Sequence, residues 1–374
     1  MTGDILSLSS AFEEVDEATW LAAVSKALKG GSIERLTRQT FDGITIKPLY
    51  READWPAATD PLGTPGTAPF LRGPDAARDA HLPWDIRQTF AHPDPRITNA
   101  EILRDLAHGV SSIEIAIDPA GTHGCAITNA DDLDILLQGV RGDLACIALA
   151  PCGTGAGYGL EAAALLGAWA ERQDDPAAQK LAFNLDPLGA FARHGEIGEN
   201  LDSAFARTAA LAGSLAEQFP LAMSLRSDIR PVHEAGGSEA QELGALIAHG
   251  VDTLRRLDKT GMPPSETAGK LIFTLSIDAN YGVGIAKLRS ARRLWARCLE
   301  ALRLDARPMQ IQAVTSARML TRRDPWVNML RGTAACFAAS VGGADSITVR
   351  PFTDALGVAE ELGRRTARNT QIIA

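Results

Sequence analysis

Short hydrophobic runs recur along the chain after residue 83, and each is followed by a longer stretch with apolar residues at helical spacing. The runs predict eight strands, over 84–90, 111–117, 144–150, 180–185, 220–226, 270–277, 309–315 and 345–350. The stretches between them predict helices, among them 160–173, 200–218, 239–257 and 284–302. Strands that alternate with amphipathic helices indicate βαβ units and a parallel sheet. Eight such units favour an α/β fold of the (β/α)8 TIM-barrel type, whose active sites lie at the carboxyl ends of the strands.

The first 83 residues have a different pattern. Residues 12–30 carry apolar side chains at helical spacing. Gly30 and Gly31 follow the last of these side chains, which predicts a helix that stops at the glycines. Residues 41–50 alternate in the manner of a strand. Residues 56–83 contain six prolines, as expected for a surface loop. The predicted organisation is an N-terminal arm over 1–55, a loop over 56–83 and a barrel over 84–374.

Composition narrows the class of protein. Hydrophobic residues make up 45% of 374 residues, which is typical of a globular chain. The net charge of −9 and the 5% aromatic content argue against a nucleic-acid-binding surface. The start of the chain lacks the basic and apolar segments of a signal peptide, and no apolar run reaches ~18–20 residues. We expect a cytoplasmic protein with neither nucleic acid nor membrane as a partner.

Cysteine and glycine patterns do not indicate a metal or nucleotide site. The five cysteines are odd in number and form no C-x-x-C pair, so we interpret them as reduced packing residues and expect no metal. A glycine-rich loop over 152–159 follows a predicted strand. Its spacing is not that of a dinucleotide or phosphate loop, which favours a tight barrel turn over nucleotide binding.

Several motifs carry a resemblance to a known family. They are IAKLRSARRLWAR (285–297), TSARMLTRRDPWVNMLRGT (315–333) and the segment 342–371, with shorter runs over 44–54, 68–74 and 83–88. Together they resemble the methylmalonyl-CoA mutase family, whose catalytic subunits use adenosylcobalamin. The match spans most of the chain in the family's order. The resemblance implies a barrel that holds the acyl-CoA and an N-terminal arm that wraps a partner subunit.

The resemblance also shows where this sequence departs from the family. The family's IRQY after the first strand ends in threonine here, and its GYHMQEAGA becomes IRPVHEAGG. The carboxylate-binding arginine, the glutamine ten residues before it and the histidine of RTHSQTSG are also replaced. The substituted positions are Thr89, Asn184, His194, Arg230, Pro231 and Gln312. Proline at the position of the thioester-donating histidine offers no hydrogen-bond donor at all. We therefore expect no catalytic residue in this chain.

Some polar residues near these positions remain candidates for residual acyl-CoA contacts. They are Arg87, Gln88, Arg193, His233, Thr315 and Ser316. Arg87 corresponds to an arginine on the CoA side in the family, although the residue is more simply interpreted as a salt-bridged arginine at a strand end. Arg193 is one residue from the arginine position, which turns its side chain by roughly 100° on a helix. His233 lies two residues beyond the family's histidine.

The sequence also lacks the cobalamin-binding motif of the family. None of the seven histidines lies in Asp-x-His-x-x-Gly, and the chain stops at Ala374, shortly after the last predicted strand. We interpret it as a shortened or naturally truncated homologue of the small (β) subunit type. No cofactor is expected in this chain. Adenosylcobalamin would be bound by a large (α) subunit that interconverts methylmalonyl-CoA and succinyl-CoA, with this chain as structural support, or the chain forms a homo-oligomer.

Two alternatives stay open at this point. One is an active acyl-CoA mutase barrel of changed specificity that uses a separate cobalamin-binding chain. The other is an unrelated barrel lyase or hydrolase with an acid or metal site. The carboxylates for such a site would be those that follow four predicted strands, Asp118, Asp186, Asp228 and Asp278. Acidic residues at such positions more often cap the following helix or turn.

Overall fold

The computed structural model describes residues 15–55, 62–150 and 159–374. It divides into two compact units, one within residues 1–61 and one over 62–374. The first unit contains helix α1 (Glu17–Ala27) and two short antiparallel strands, β1 (Arg38–Gln39) and β2 (Thr45–Ile46). Residues 62–83 of the second unit contain no helix or strand. The predicted features over 1–14, 56–61 and 152–158, including Cys152, lie outside the described residues.

The arm follows its predicted pattern only in part. The helix is present but begins at Glu17, where the Asp16 carboxylate accepts the backbone N–H of Thr19 at 2.8 Å. The strand predicted over 41–50 is wrong, because only Thr45–Ile46 pairs. Gly43, at φ +77°, forms a turn ahead of it, and Pro48 behind it has no N–H to donate to a ladder. α1 buries none of its residues, so this unit has little core of its own.

The second unit is a closed barrel of eight parallel strands. They are β3 (Asp85–Phe90), β4 (Ser112–Ile115), β5 (Cys146–Leu149), β6 (Leu181–Leu185), β7 (Met223–Asp228), β8 (Leu271–Ile277), β9 (Gln310–Thr315) and β10 (Ser346–Thr348). Each strand pairs with its neighbours in sequence, and β10 also pairs with β3, which closes the ring. The TIM-barrel prediction and all eight predicted strands are confirmed.

Helices surround the strands. They are α2 (Pro95–Ala107), α3 (Ala130–Leu136), α4 (Leu160–Ala170), α5 (Pro187–His194), α6 (Leu201–Gln218), α7 (Arg230–Glu234), α8 (Glu239–Lys259), α9 (Pro264–Gly269), α10 (Tyr281–Ala301), α11 (Val327–Gly342) and α12 (Glu361–Ile373). Several begin at a side-chain cap, as at Asp94, Asn129, Asn200 and Ser238. Over the described ranges, no helix has the length and apolar content that crossing a membrane requires.

The main hydrophobic core lies between the strands and the helices. Alternate strand residues such as Ile113, Phe273 and Ile311 face outward into it and are at most 1% exposed. Cys125 and Cys336 belong to the same core, and burial raises the pKa of their thiols to about 11 and about 12. Along the described chain the cysteines form no disulfide, in line with their interpretation as packing residues.

Ion pairs and hydrogen bonds of buried arginines connect the outer helices of the barrel. Arg364 and Arg368 of α12 both bind Asp105 of α2, at 3.2 and 2.7 Å, and so join the last helix to the first helix of the barrel. Arg292 of α10 donates to two backbone carbonyls at 2.6 Å and to Asp345 at 3.0 Å. The motif residues on α10 and α12 thus contribute to the barrel shell.

Candidate functional site

The interior of the barrel contains a hydrogen-bonded network of polar side chains instead of the usual branched apolar layers. Arg226 on β7 donates to Glu114 on β4 at 2.8 Å and to Gln312 on β9 at 3.0 Å. Gln312 donates to Glu114 at 3.1 Å and to Thr348 on β10 at 3.3 Å. Thr89 on β3 donates to the second Glu114 oxygen at 2.9 Å. Since β4 and β7 are not neighbours, the network crosses the lumen.

Apart from Thr89, which is exposed, the residues of the network are buried, and they include a compensated charge pair. Arg226 and Glu114 are 1% and 2% exposed. Burial by itself would raise the pKa of the Glu114 carboxyl, but the positive charges of Arg226, Arg230 and Arg87 outweigh it and lower the pKa to about 2. The carboxylate therefore stays ionised and holds the surrounding donors in place. We call the five residues Thr89, Glu114, Arg226, Gln312 and Thr348 the lumen network.

A pocket of about 170 Å³ lies above the network at the carboxyl ends of the strands. Gln88, Thr89, Glu114, Arg230 and Arg350 are among its lining residues. The Gln88 amide nitrogen is buried and has no protein partner. This mouth pocket is where a TIM barrel would bind a substrate.

The charged residues at the mouth are bound to one another. Arg230 forms a two-pronged pair with Asp228, at 2.8 and 2.7 Å, and Arg193 reaches the same carboxylate at 3.3 Å. Burial would raise the pKa of Asp228, but these arginines hold it well below its usual range. Arg193 also pairs with Glu234 at 3.2 Å. Arg193 and Arg230 thus already have carboxylate partners within the protein.

A second pocket, of about 590 Å³, opens at the amino-terminal end of the barrel. Its walls include Trp84, Arg87, Cys146 and Lys180. Arg87 is 3% exposed, and its Nε donates to Ser112 at 2.8 Å while one guanidinium nitrogen has no partner. Arg87 therefore lines this pocket, whereas Gln88 and Thr89 line the mouth pocket.

A third polar group lies behind the mouth, between strands and helices. The imidazole of His233 on α7 contacts Glu242 on α8 through Nδ1 and Ser316 through Nε2, both at 2.6 Å. Lys287 on α10 pairs with the other Glu242 oxygen at 2.5 Å. All four residues are at most 4% exposed. The order serine, histidine, glutamate resembles a hydrolytic triad, but His233 and Ser316 line neither pocket, so this cluster lacks the access that a nucleophile needs.

The remaining predicted positions are engaged in local structure. The Asn184 amide donates to the Leu149 carbonyl at 2.8 Å. His194 ends α5, and Pro231 lies in the first turn of α7, where its missing N–H is tolerated. The Thr315 hydroxyl accepts the backbone N–H of Arg350 at 2.8 Å. Of the twelve predicted residues, the mouth pocket brings together Gln88, Thr89 and Arg230.

The four carboxylates that an acid or metal site would use do not converge. Asp186 accepts the Gly189 and Asp228 backbone N–H groups and pairs with His249, while Asp118 and Asp278 accept from nearby loop N–H groups. Over residues 15–55, 62–150 and 159–374, no three His, Cys, Asp or Glu side chains are grouped as metal ligands. No histidine lines the described wall of the mouth pocket, so these residues do not fit a cobalt-ligating site.

Sequence reasoning missed Glu114, Arg226 and Arg350. A signal was present, because Glu114 and Arg226 are charged residues inside strands that otherwise read as apolar. Parallel barrel strands are buried on both faces, so a charge in their middle indicates a lumen-facing position. The partner of each charge was not readable, because Glu114 and Arg226 are 112 residues apart.

The protein-family match and the similar known proteins reported below all carry the name methylmalonyl-CoA mutase. The methylmalonyl-CoA mutase family model matches residues 39–374. The chain is 41% identical over 379 residues to a Streptomyces virginiae protein named methylmalonyl-CoA mutase small subunit, covering 99% of this chain and 59% of that protein. The protein of that name from Propionibacterium freudenreichii subsp. shermanii is 34% identical over 392 residues, with 100% and 58% covered. Mitochondrial methylmalonyl-CoA mutase of Bos taurus is 30% identical over 376 residues, with 95% and 49% covered. The chain thus spans about half to three-fifths of these relatives' length.

Proposed function

The chain belongs to the methylmalonyl-CoA mutase family, and we propose that it is a non-catalytic small subunit that supports a large catalytic subunit. The hypothesis of an unrelated barrel lyase or hydrolase is set aside by the family assignment. In this proposal the large subunit binds adenosylcobalamin and interconverts methylmalonyl-CoA and succinyl-CoA. The adenosyl group supplies radical chemistry there, and this chain supplies a stable barrel and a surface for assembly.

The lumen network is the observation that carries the proposal. A radical mutase needs a dry site with free donors for the thioester and a free cationic clamp for the carboxylate. Here one terminal nitrogen of the Arg226 guanidinium donates to Glu114 and Gln312, while its other two nitrogens are buried without a partner. Arg230 is paired with Asp228. The thioester-donor position is Pro231, which has no N–H. Arg193, Arg226 and Arg230 are each paired with a carboxylate of the protein, so none of the three is a free clamp for a substrate carboxylate.

The arm supports the subunit role. Within residues 15–55, large apolar side chains are exposed, with Phe41 at 86%, Ile44 at 60%, Tyr50 at 57% and Trp55 at 55%. Exposed apolar residues at this density mark surfaces that another chain covers. The proposed partner is therefore a protein subunit, with no role for nucleic acid or membrane.

The test compares the chain alone with the assembled enzyme. The chain is assayed with adenosylcobalamin and methylmalonyl-CoA, then with a panel of other acyl-CoAs, and the large subunit from the same source is added last. We expect no turnover above a no-protein blank for the chain alone. A stable complex by size-exclusion chromatography with light scattering is expected on addition of the large subunit. Turnover by the chain without a large subunit would overturn the proposal.

An active acyl-CoA mutase of changed specificity is the second candidate. The mouth pocket favours it, because about 170 Å³ remains beside Arg350 and the unpartnered Gln88 amide. In that case a separate cobalamin-binding chain would restore turnover of some acyl-CoA, and Gln88→Ala would lower kcat/KM. Absence of turnover across the panel with candidate cobalamin-binding chains would remove this candidate.

A further inference from the structure

Helix α11 presents an unusual surface to solvent. The exposed residues within the helix are Met329, Leu330, Thr333, Phe337 and Val341, and none of them is charged. Outer helices of a barrel normally expose polar side chains. Helix α8 of the same barrel does so, with exposed Arg255, Asp258 and Lys259 and no exposed large hydrophobic residue.

The apolar residues form one continuous stripe. Positions 326, 330, 337 and 341 follow helical spacing and so share a face. Trp326, one residue before the helix, is 60% exposed, and Leu330 is 73% exposed. The Tyr281 ring at the start of α10 stacks on Phe337 with centroids 5.5 Å apart, which widens the stripe onto the neighbouring helix. We call Tyr281, Trp326, Met329, Leu330, Phe337 and Val341 the α11 stripe.

The stripe is large enough to serve as the centre of an interface. Trp326, Phe337 and Tyr281 are 60%, 44% and 42% exposed. A fully buried aromatic side chain removes roughly 150–250 Å² from water, so these three rings alone leave on the order of 300 Å² to be covered. Isolated monomers rarely expose larger contiguous apolar patches, and a stable interface needs about 800 Å² per partner. With its aliphatic members and a polar rim, the stripe approaches that area.

Two of the rings are already fixed in place. Trp326 stacks on Phe352 with centroids 5.0 Å apart, and Phe337 stacks on Tyr281. Rings held by their neighbours lose little rotamer freedom when a partner docks. Aromatic side chains of this kind are typical energetic centres of interfaces.

We propose that the α11 stripe is the docking surface for the large subunit, which presents an apolar helical face bordered by acidic side chains. This inference rests on the proposed function and deepens it by assigning the surface. We infer the acidic border because arginines lie at both ends of the α11 stripe, and acidic side chains on the partner would complement their charge. Arg322 and Arg323 are exposed just before Trp326, with Asp324 as the one acidic residue in that segment. Arg289 donates to the Val341 carbonyl at the other end, and exposed Arg293 lies one turn further along α10.

The same charges disfavour a second copy of this chain. A two-fold pairing of α11 with itself is either parallel, which places Arg322 and Arg323 against the same residues of the other copy, or antiparallel, which brings the first end of one stripe against the second end of the other. In the antiparallel case Arg322 and Arg323 would face Arg289 and Arg293 of the other copy. Like charges across an interface are repulsive, whereas an acidic border on a different chain attracts both ends.

The test measures binding of the full chain to the large subunit from the same source by calorimetry or biolayer interferometry. Leu330→Glu is the main variant, and Leu144→Glu is the matched control, because Leu144 is 68% exposed in a loop outside the stripe. Both variants are first checked for wild-type thermal unfolding. We expect Leu330→Glu to weaken binding at least about 30-fold and Leu144→Glu to leave it within about twofold. Replacing Arg322 and Arg323 with Glu should slow association about tenfold at low salt.

Each outcome bears on one statement. If the wild-type chain does not bind the large subunit, the proposed function itself fails. If it binds and Leu330→Glu binds equally well, the α11 stripe is not the docking surface while the subunit role stands. If the wild-type chain instead dimerises and Leu330→Glu makes it monomeric, the occupant is a second copy, and the assignment to the large subunit is overturned.

Discussion

The lumen of the barrel and the α11 stripe invert the usual distribution of polarity. In the lumen, Arg226 and Glu114 are buried at 1% and 2% exposure, where most barrels place branched apolar residues. On α11, Leu330 is 73% exposed, where most barrels place charged residues. The two buried charges are paired with each other and stabilise the fold, whereas the exposed apolar residues have no such role in the isolated barrel. Polarity thus separates the residues that hold the chain together from those available to another chain.

The contrast predicts opposite responses to substitution. A residue of the lumen network should affect the free energy of unfolding strongly, because its partners would remain buried and uncompensated. A residue of the α11 stripe should affect that free energy little and affect association instead.

The largest change in the free energy of unfolding is expected for Arg226→Met. It leaves the Glu114 carboxylate without its nearest charge inside the barrel, and breaking one side of a buried pair costs about 3–5 kcal/mol. Chemical denaturation of the full chain measures the loss. The double variant with Glu114→Gln removes both charges and should recover most of the stability. A loss below about 1 kcal/mol for the single variant would contradict the assigned role of the pair.

The second largest effect is expected from acid, which should lower the free energy of unfolding by protonating Glu114 of the lumen network. The pKa of Glu114 is lowered to about 2 from an ordinary 4.5, so the unfolded chain binds this proton more readily than the folded chain. Its contribution is fully present above about pH 4.5 and is lost as pH falls toward 2, by on the order of 3 kcal/mol. Denaturation midpoints across this range should show the fall. The double variant should show a shallower fall, and identical curves would contradict the assignment.

A smaller loss of stability is expected from a substitution in the buried cluster behind the mouth, which contains His233, Glu242, Ser316 and Lys287. Ser316→Ala removes the hydroxyl that contacts His233 Nε2 at 2.6 Å and leaves a buried ring nitrogen without a partner, at about 1–3 kcal/mol. Ser340→Ala on α11 is the control, because its hydroxyl bonds only a local carbonyl. Thermal or chemical unfolding measures both. Equal stability of the two variants would show that the cluster is not a structural clamp.

The smallest change in the free energy of unfolding is expected for a substitution in the α11 stripe. Leu330→Ser should change the free energy of unfolding by no more than about 0.5 kcal/mol, because its side chain is mostly in water already. Leu254→Ala, at a residue only 1% exposed on α8, should cost about 2–5 kcal/mol in the same measurement. A large loss for Leu330→Ser would mean that the stripe supports the barrel itself.

Much of the fold was readable from local pattern. All eight strands and the long helices followed from apolar runs and helical spacing, because each element buries a regular face. The strand predicted over 41–50 failed where a turn at Gly43 and Pro48 outweighed alternation. The run that forms α11 consists mostly of apolar and small residues, with Arg331 as its one charged residue, and this reads as a buried helix, although one face is exposed.

The sequence by itself determined the barrel and the family, since these depend on residue types at short spacing. Only the tertiary structure decided how the remaining polar groups are used. Arg226 meets Glu114 across 112 positions, and His233 meets Ser316 across 83, because ring closure brings non-neighbouring strands to one axis. Which face of α11 meets water was decided in the same way, by the packing of α10 and α12 against its other sides.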